Sequence, residues 1–399
     1  MMDTINLTYN TRLLMGKDDF QKLYEVLESA SDAYNWCAMY ITIHSIPLNL
    51  KIVHNAVYSI MREKFKNLTA QCVIRIYKEV ISALRSIRSN KEEGKADIPE
   101  RKNPSMRLDK RLYSNLSING ISLTGFTKNK RKHFSFELYP LLEDMFEKYV
   151  TADPLLFVRD KQIWLSIPFK VPAKPVKEGN AIGIDLGMKR FVVTSDGMVF
   201  DDKEYKARRR RTRYLKRILK GKKTKSAKRK LGKLKRKERN QSKDFSYRMA
   251  NAVLEHCGDA QYIVMEDLKK IKKNTSKTED GFKRKRHNKM FSQVPIAKFK
   301  EILSYKAALA GKRVETVSPQ WTSQTDSRTN KRDGERKGCR YICKDGVVLD
   351  ADWNAAINIV KRSNHPTTNK VPKDGTLKFF SRQASVNMPK AVLSSSASL

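Results

Sequence analysis

The chain has 399 residues and a formal net charge of +40, from 82 Lys and Arg against 42 Asp and Glu. It is too long for one hydrophobic core, and so large an excess of one sign makes a compact fold repel itself unless a polyanion screens it, so nucleic acid is the expected partner. No run of about eighteen apolar residues is present, which argues against a membrane partner, and five scattered cysteines, Cys37, Cys72, Cys257, Cys339 and Cys343, are too few for a disulfide framework.

Met1 to Leu14 opens with an acid and alternates polar with apolar residues, unlike the charged start and solid apolar core of a secretory signal, so a cytosolic (cytoplasmic) location is expected. Ile5, Leu7, Tyr9 and Thr11 stand at every second position, the period of a half-buried strand. From Asp18 to about Asn90 the spacing turns helical. Phe20, Leu23, Tyr24 and Leu27, then Ile52, Val57, Ile60 and Met61, then Val73, Ile74, Tyr77, Val80 and Ile81 fit three helices. Between Leu112 and Phe169 short β-rich runs return, separated by Gly, Asn and Asp-Lys turns. The early strand and these later ones are expected to close one small β-barrel over residues 1–15 and 91–172, with a helical domain, 16–90, inserted. Val171 to Gly179, with Pro172 and Pro175, reads as a linker.

From Ala181 the pattern is α/β. The apolar run Ala181-Ile182-Gly183-Ile184 delivers Asp185 at a strand end, and the hairpin Phe191 to Gly197 follows. A second apolar strand, Tyr262-Ile263-Val264-Met265, ends in Glu266-Asp267. A third acid, Asp352, opens a helix whose Ala355 and Ala356 permit close approach to a sheet. One such acid alone is usually a cap or turn residue. Three acids at neighbouring ends repel, and burying them is costly unless a cation joins them. Oxygen ligands select a hard ion, Mg2+ or Mn2+. Two such ions can activate water and stabilise the leaving oxygen of a phosphodiester, the usual use of this arrangement on an RNase H-like sheet. Asp350 and Asp267 are the neighbouring alternatives.

Residues 206–243 hold 21 Lys or Arg against the single acid Glu238. Leu215, Leu219, Leu231 and Leu234 recur at helical spacing, which predicts two basic helices joined near Gly221. So uniform a sign opposes folding unless phosphates neutralise it, which makes Arg208, Arg209, Arg210, Arg211, Arg213, Lys216, Arg217, Lys228, Arg229, Lys235 and Arg236 candidate nucleic-acid contacts. A second basic run, Lys269 to Lys289, is expected to form a flexible loop, and the tail after Arg362 to have little regular structure.

At the acids the chain resembles the transposon-encoded TnpB family and the related single-protein type V CRISPR effectors, which split a RuvC nuclease across three motifs. Ile184-Asp185-Leu186-Gly187 resembles the first, Met265-Glu266-Asp267-Leu268 the second and Asp352-Trp353-Asn354-Ala355-Ala356-Ile357-Asn358-Ile359 the third. Gly311, Val314 to Val317 and Pro319 to Thr325 resemble the family's approach to its third motif, so the likeness covers about residues 181–361. It implies an α+β chain: the N-terminal β-barrel with its inserted helical domain, then an RNase H-like (RuvC) nuclease domain over 173–320 with the basic helices, a degenerate zinc-ribbon loop at 321–347, the last RuvC motif at 348–363 and a tail at 364–399. The implied activity is RNA-guided, Mg2+-dependent cleavage of DNA, with Asp185, Glu266 and Asp352 catalytic. Guide RNA and double-stranded target DNA are the implied partners of a monomeric ribonucleoprotein, with a dimer as the alternative.

Two segments depart from or extend the motif set. The family's first Cys-x-x-Cys pair has Asp326 and Thr329 in its places here. Cys343 holds one place of the second pair beside a shortened Lys344-Asp345-Gly346, and Cys339 lies four residues upstream. Two thiolates do not close a tetrahedral site, so no zinc is expected. Thr69-Ala70-Gln71-Cys72-Val73-Ile74-Arg75 resembles the family's helix that reads a short duplex motif. Thr69, Gln71 and Arg75 are the candidates, since Gln can read adenine and Arg guanine in a major groove.

Three rival functions share parts of this pattern. An actin-like ATPase would need a second Asp-x-Gly turn and a glycine-rich adenosine loop, which are not found. A nuclease-inactive RNA-guided repressor needs none of the three acids, all of which are present. An RNase H-fold transposase shares the carboxylates, but the β-helical-β front half favours the guided nuclease.

Overall fold

The structure, a computed structural model, describes residues 4–91, 98–127, 130–267, 294–367 and 377–380. The basic run Lys269 to Lys289 and most of the tail lie outside them. The chain divides into two compact units, Thr4–Val171 and the residues from Pro172 onward.

In the first unit β1 (Thr4–Arg12) precedes three helices, α1 (Lys17–Ile43), α2 (Leu50–Lys64) and α3 (Ala70–Lys91). Asn49 caps α2 by accepting from the Lys51 amide, and Thr69 accepts from the Cys72 amide at the start of α3. The apolar stripe of α2 is Val53, Val57 and Met61, all fully buried. Ile52 and Ile60, assigned to that stripe by spacing, are 46% and 38% exposed, because the buried face runs one residue out of phase with them. The strands that follow are β2 (Ser105–Arg107), β3 (Tyr113–Ser117), β4 (Gly120–Thr127) and β5 (Lys130–Phe134); after α4 (Pro140–Lys148) come β6 (Val150–Thr151), β7 (Leu155–Arg159) and β8 (Gln162–Pro172). β8 buries Ile163, Leu165, Ile167, Phe169 and Val171 at every second position.

The pairing gives two sheets where one closed barrel is expected. One runs β1-β8-β7-β2 with β6 on β8, and the other runs β3-β4-β5. They are linked beside Leu13 and Phe136 by an isolated bridge. Among the described residues no ladder joins β2 to β3. Asp109 separates those strands, its carbonyl accepting from the Leu112 amide.

The second unit is built on a six-stranded sheet. Its strands are β9 (Ala181–Leu186), β10 (Val192–Thr194), β11 (Met198–Phe200), β12 (Tyr262–Glu266), β13 (Arg313–Val317) and, near the C-terminus, β17 (Lys378–Phe379), in the order β13-β12-β9-β10-β11-β17. β9, β10 and β11 are antiparallel neighbours, whereas β9, β12 and β13 run parallel. The β10–β11 turn places Gly197 at φ +87°, a conformation that strains any residue with a Cβ. β17 falls in the tail read as irregular; a two-residue strand is too short to carry a period.

Helices cover the two faces differently. α5 (Lys203–Gly221) and α6 (Lys225–His256) are capped by Asp202 and Thr224, and with α7 (Ile296–Leu309) they precede β14 (Glu335–Lys337), β15 (Arg340–Ile342), β16 (Val348–Asp350) and α8 (Ala351–Lys361). Ile182, Ile184, Ile263 and Met265 pack with Phe245, Met249 and Val253 of α6 and Phe299 and Leu303 of α7. Ala181 and Val264, of opposite parity, pack with Ile359 and Val360 of α8. Strands buried on both faces read as unbroken apolar runs, as β9 and β12 do.

α8 comes so near to β9 that only glycine fits at 183. A Cβ there would overlap the Ala356 carbonyl oxygen and lie 2.9 Å from the Val360 Cβ. Gly183→Ala is therefore expected to destabilise the second unit by about 1–3 kcal/mol through overpacking, measured by denaturant unfolding. An unchanged midpoint would mean that α8 is not seated on this strand.

Candidate active site

Parity carries Asp185 to the α8 face. Ile182 and Ile184 point to the α6–α7 side, so Gly183 and Asp185 point to the other. β12 pairs with β9 in parallel through Met265 and Ile184, which brings Glu266 level with Asp185 on the next strand, about 4.8 Å away in the pairing direction. By the same alternation Val264 and Glu266 share the α8 face. Asp352 lies in the first turn of α8 and is 8% exposed. Two strand ends and one helix start thus bring the three predicted acids to one end of the sheet.

The acids feel one another. Burial first, then the nearby Glu266 and Asp352 carboxylates, push the Asp185 carboxyl from its ordinary 3.8 to about 8. Burial also raises Glu266, against the opposing hydrogen bond from Thr322. Asp352 instead lies between two guanidinium groups. Arg190 Nε donates to its Oδ2 at 2.9 Å and Arg336 Nη2 to its Oδ1 at 2.8 Å. Arg190 also bridges to Asp350 at 2.7 Å.

Asp350 has a different task from Asp352. It caps α8, its Oδ1 accepting from the Asp352 and Trp353 amides at 3.1 Å each. Asp267, the other near neighbour, follows the last residue of β12 and donates its amide to the Val317 carbonyl.

Sequence reasoning missed the residues that hold the site together. Asn354 accepts from the Ser327 amide at 2.8 Å and donates to the Thr325 carbonyl at 2.7 Å; Asn358 donates to Thr322 and Thr325 carbonyls at 2.9 and 2.7 Å. Spaced one helical turn apart on α8, they fasten the segment that carries Thr322, the hydrogen-bond donor to Glu266. Ser195 accepts from the Gly183 amide with its hydroxyl and from Trp353 Nε1 with its carbonyl, joining hairpin, strand and helix. The signal was two Asn at i and i+4 on an otherwise apolar helix face, where an amide must be paired. Arg190 and Arg336 had none beyond their charge.

By residue type the three acids suit a hard divalent cation: all are oxygen donors, and an Asp pushed to about 8 marks a place where added positive charge restores the ionised form. As the side chains stand, no three His, Cys, Asp or Glu among the described residues are close enough to hold a metal. Asp352 would have to leave its arginines to complete such a set.

The ribbon places do not suit zinc. Asp326 is 2% exposed and its Oδ2 accepts from Arg328 at 3.0 Å, while Arg328 also reaches Asp345 at 2.8 Å. Burial opposes its ionisation, but hydrogen bonds from Arg328 and Cys343 hold the Asp326 carboxyl below its ordinary value. Burial and the Asp326 carboxylate raise the Cys343 thiol to about 11. Cys339 is half-buried and Thr329 has no thiol. Here β14, β15 and β16 form an antiparallel sheet with Tyr341, Cys343, Leu349 and Ala351 packed together.

The basic residues line α5 and the first half of α6. Arg208, Arg210, Arg211, Arg213, Arg217, Lys228, Arg229, Lys235 and Arg236 are exposed. Arg209 and Lys216 are half-buried, Arg209 over the Tyr205 ring and Lys216 beside Glu238. In the first unit the α3 candidates have internal partners: Thr69 caps the helix, Gln71 bonds Asp109 and Arg111, and Arg75 lies 3.6 Å from Glu79 and 3.9 Å from Asp153. No helix among the described residues is long and apolar enough to cross a membrane.

Comparison with known proteins gives two family matches, which fall mainly in the second unit. A family profile described as OrfB_IS605, probable transposase, matches residues 166–288, and one described as the Cas12f1-like TNB domain matches 297–359. The CRISPR-associated endodeoxyribonuclease Cas12f2 of Micrarchaeota archaeon (strain CG1_02_47_40) is 26% identical over 235 residues, 52% of this chain and 41% of that protein. The chain thus spans about two fifths of the length of this curated relative. Among solved structures, that of a Cas12f1-sgRNA-target DNA complex superposes with a TM-score of 0.60 at 16% identity, covering 87% of this chain and 83% of the other. CasPhi-2 (Cas12j) bound to crRNA gives 0.46 at 11% identity, covering 90% and 98%. The chain resembles TnpB-like proteins and compact type V effectors, and it shares their mixed α+β fold.

Two outcomes follow from the electrostatics. An unfolded Asp ionises near 3.8, but folded Asp185 resists ionising until about 8, so the native state loses stability as pH rises through that window. Without divalent metal, Asp185→Asn should melt higher than the parent by about 2 °C or more at pH 8, with a margin that shrinks toward pH 4. A margin that is absent or independent of pH would contradict the buried, mutually repelling cluster. Arg328→Ala should open residues 326–346 to limited proteolysis, whereas a zinc chelator should leave the parent's proteolysis pattern unchanged.

Proposed function

We propose, on the premise of this likeness to TnpB-like proteins and compact type V effectors, that the chain is an RNA-guided endonuclease that cuts DNA at Asp185, Glu266 and Asp352. The observation that carries the reading is the convergence of those acids: neighbours on two parallel strands, on the face beneath α8, with the third in that helix's first turn. The strand order β11-β10-β9-β12-β13, three antiparallel and then two parallel, supports an RNase H-like (RuvC) domain.

Bound by the three carboxylates, Mg2+ or Mn2+ would supply Lewis acidity toward water and toward the phosphodiester oxygens. The chain's own residues do the rest. Thr322 orients Glu266 by hydrogen bonding one carboxylate oxygen. Arg190 and Arg336 hold Asp352 in place, and their guanidinium forks match phosphate oxygens as well as carboxylate. They can therefore pass from Asp352 to the backbone of an arriving strand. The exposed cations of α5 and α6 suit a guide–target duplex, whose recognition through phosphates needs density of charge rather than sequence.

The relatives bear on the substrate. Cas12f2 is named an endodeoxyribonuclease, and the Cas12f1 structure holds guide RNA and target DNA. The profile match at 297–359 favours a guided effector over a cut-and-paste transposase. In this reading residues 321–347 are a metal-free ribbon, and α3 reads a short duplex motif once Gln71 and Arg75 exchange their internal partners for base edges.

The test separates binding from cutting. Glu266→Ala, Asp185→Ala and Asp352→Ala should each slow guide-dependent cleavage at least about a hundredfold, yet retain target binding through the basic helices. Asp350→Ala should lower stability by about 1 kcal/mol through the lost cap and slow cleavage much less. Cleavage by Glu266→Ala at a rate comparable to the parent's, or cleavage persisting in chelator, would refute the assignment.

A further inference from the structure

We propose that Trp321 is the stacking platform for an unpaired base of the DNA strand that enters the carboxylate site. The inference deepens the nuclease reading above and rests on it. Trp321 is 45% exposed, whereas its neighbour Thr322 is 1% exposed. Among the described residues its one ring contact is with Arg332, itself exposed, whose guanidinium lies 4.7 Å from the ring centroid. A large aromatic side chain left so open contributes little to the core, and its flat face suits any base that has left its own stack.

The backbone holds that ring out under strain. Trp321 stands at φ +66°, a left-handed conformation that glycine takes freely and bulky residues rarely adopt. Its surroundings fix it there: the Trp321 carbonyl accepts from the Gln324 amide at 3.1 Å and from Thr325 Oγ1 at 2.8 Å. On either side, Arg362 donates to the Ser318 carbonyl at 2.8 Å and Asn358 to the Thr322 carbonyl at 2.9 Å. A turn tied down in this way has little backbone freedom left to lose when a base stacks on the indole. Glycine or asparagine would close the same turn with less strain, so the outlier points to a use for the side chain.

Position selects the ligand. Thr322, the next residue, donates its hydroxyl to Glu266, and consecutive Cα atoms are about 3.8 Å apart, so the Trp321 backbone lies within roughly 10 Å of that carboxylate. The turn is fastened to α8, on the face of the sheet to which Asp185 and Glu266 point. Lys300 donates to the Glu266 carbonyl at 2.8 Å, and Arg362 and Arg336 act electrostatically on the Glu266 carboxylate. A strand with one phosphate at the acids therefore meets cations for the phosphates beside it and one open ring for a base, with Arg332 next to that ring. Bases inside a duplex already have both faces covered, so the ring selects a single strand.

The test uses the full chain with its bound RNA, in chelator, titrated with a single-stranded thymidine oligonucleotide. The chain has four tryptophans, and subtracting the fluorescence of Trp321→Phe isolates the emission of Trp321. Single-stranded DNA should quench that emission saturably, and a duplex of the same length should leave it unchanged. Trp321→Leu, apolar but without a π-face, should bind the oligonucleotide about five- to a hundredfold more weakly than the parent, and Trp321→Phe within about threefold of it. An emission that single-stranded DNA leaves unchanged, or that duplex quenches equally, would overturn the assignment. So would a loss of affinity in both variants alike or in neither, and so would an emission already quenched in the complex and recovered with ribonuclease, which would give the ring to the RNA. The titration requires neither guided targeting nor a cut. Quenching as expected in a chain without guided cleavage would refute the nuclease reading and keep the platform; guided cleavage with Trp321 unquenched would refute the platform alone.

Discussion

Like charges gathered at one end of a sheet push apart, so the elements that carry them must be held by contacts that owe nothing to the charges. Here the contact is the seating of α8 on Gly183. Because that position has no side chain, Ala356 and Val360 lie against the β9 backbone, and the start of α8 comes over the ends of β9 and β12. Trp353 and Ser195 tie the same helix to the β10–β11 hairpin. The apolar seat, together with the buried amides of Asn354 and Asn358, provides what the repulsion among Asp185, Glu266 and Asp352 takes away.

Positive charge then enters in two ways. Close to the acids it is discrete: Arg190 and Arg336 each take one oxygen of Asp352, and Arg190 also steadies the Asp350 cap. Farther out, on α5 and α6, it is a dense exposed surface of Lys and Arg, whose mutual repulsion an external polyanion would relieve. Residues 326–346 show the same economy on a smaller scale. Arg328 lies between Asp326 and Asp345, and Tyr341 is buried against Cys343 and Ala351 of the small sheet. A guanidinium there does the bridging.

Much of this was legible in the sequence, for physical reasons that also explain what was not. β9 and β12 are buried on both faces, so they read as apolar runs ending abruptly in an acid, and Asn354-Ala355-Ala356 announces a helix that sits close to something. The two basic helices were readable from sparse leucines among Lys and Arg, and they join at residues 222–224. Side-chain phase was not readable where the pattern is loose: Ile52 and Ile60 of α2 look like core and face out. Nor was long-range pairing, which decides whether short strands close a barrel or form the two sheets seen, and which adds Lys378–Phe379 to a sheet edge. Arg190 and Arg336 could not be picked from 82 cations, since only the fold brings them to Asp352.

The central claim is that the three carboxylates place a divalent metal against the scissile phosphate. Replacing a non-bridging oxygen of that phosphate with sulfur tests it directly, because sulfur binds Mg2+ poorly and Mn2+ better. Guide-dependent cutting of one sulfur diastereomer should be slowed at least about tenfold in Mg2+ and largely restored in Mn2+, whereas the unsubstituted DNA should differ little between the two ions. Equal cutting of oxygen and sulfur substrates in Mg2+, with no change in Mn2+, would contradict a metal on the phosphate and with it the role given to Asp185, Glu266 and Asp352.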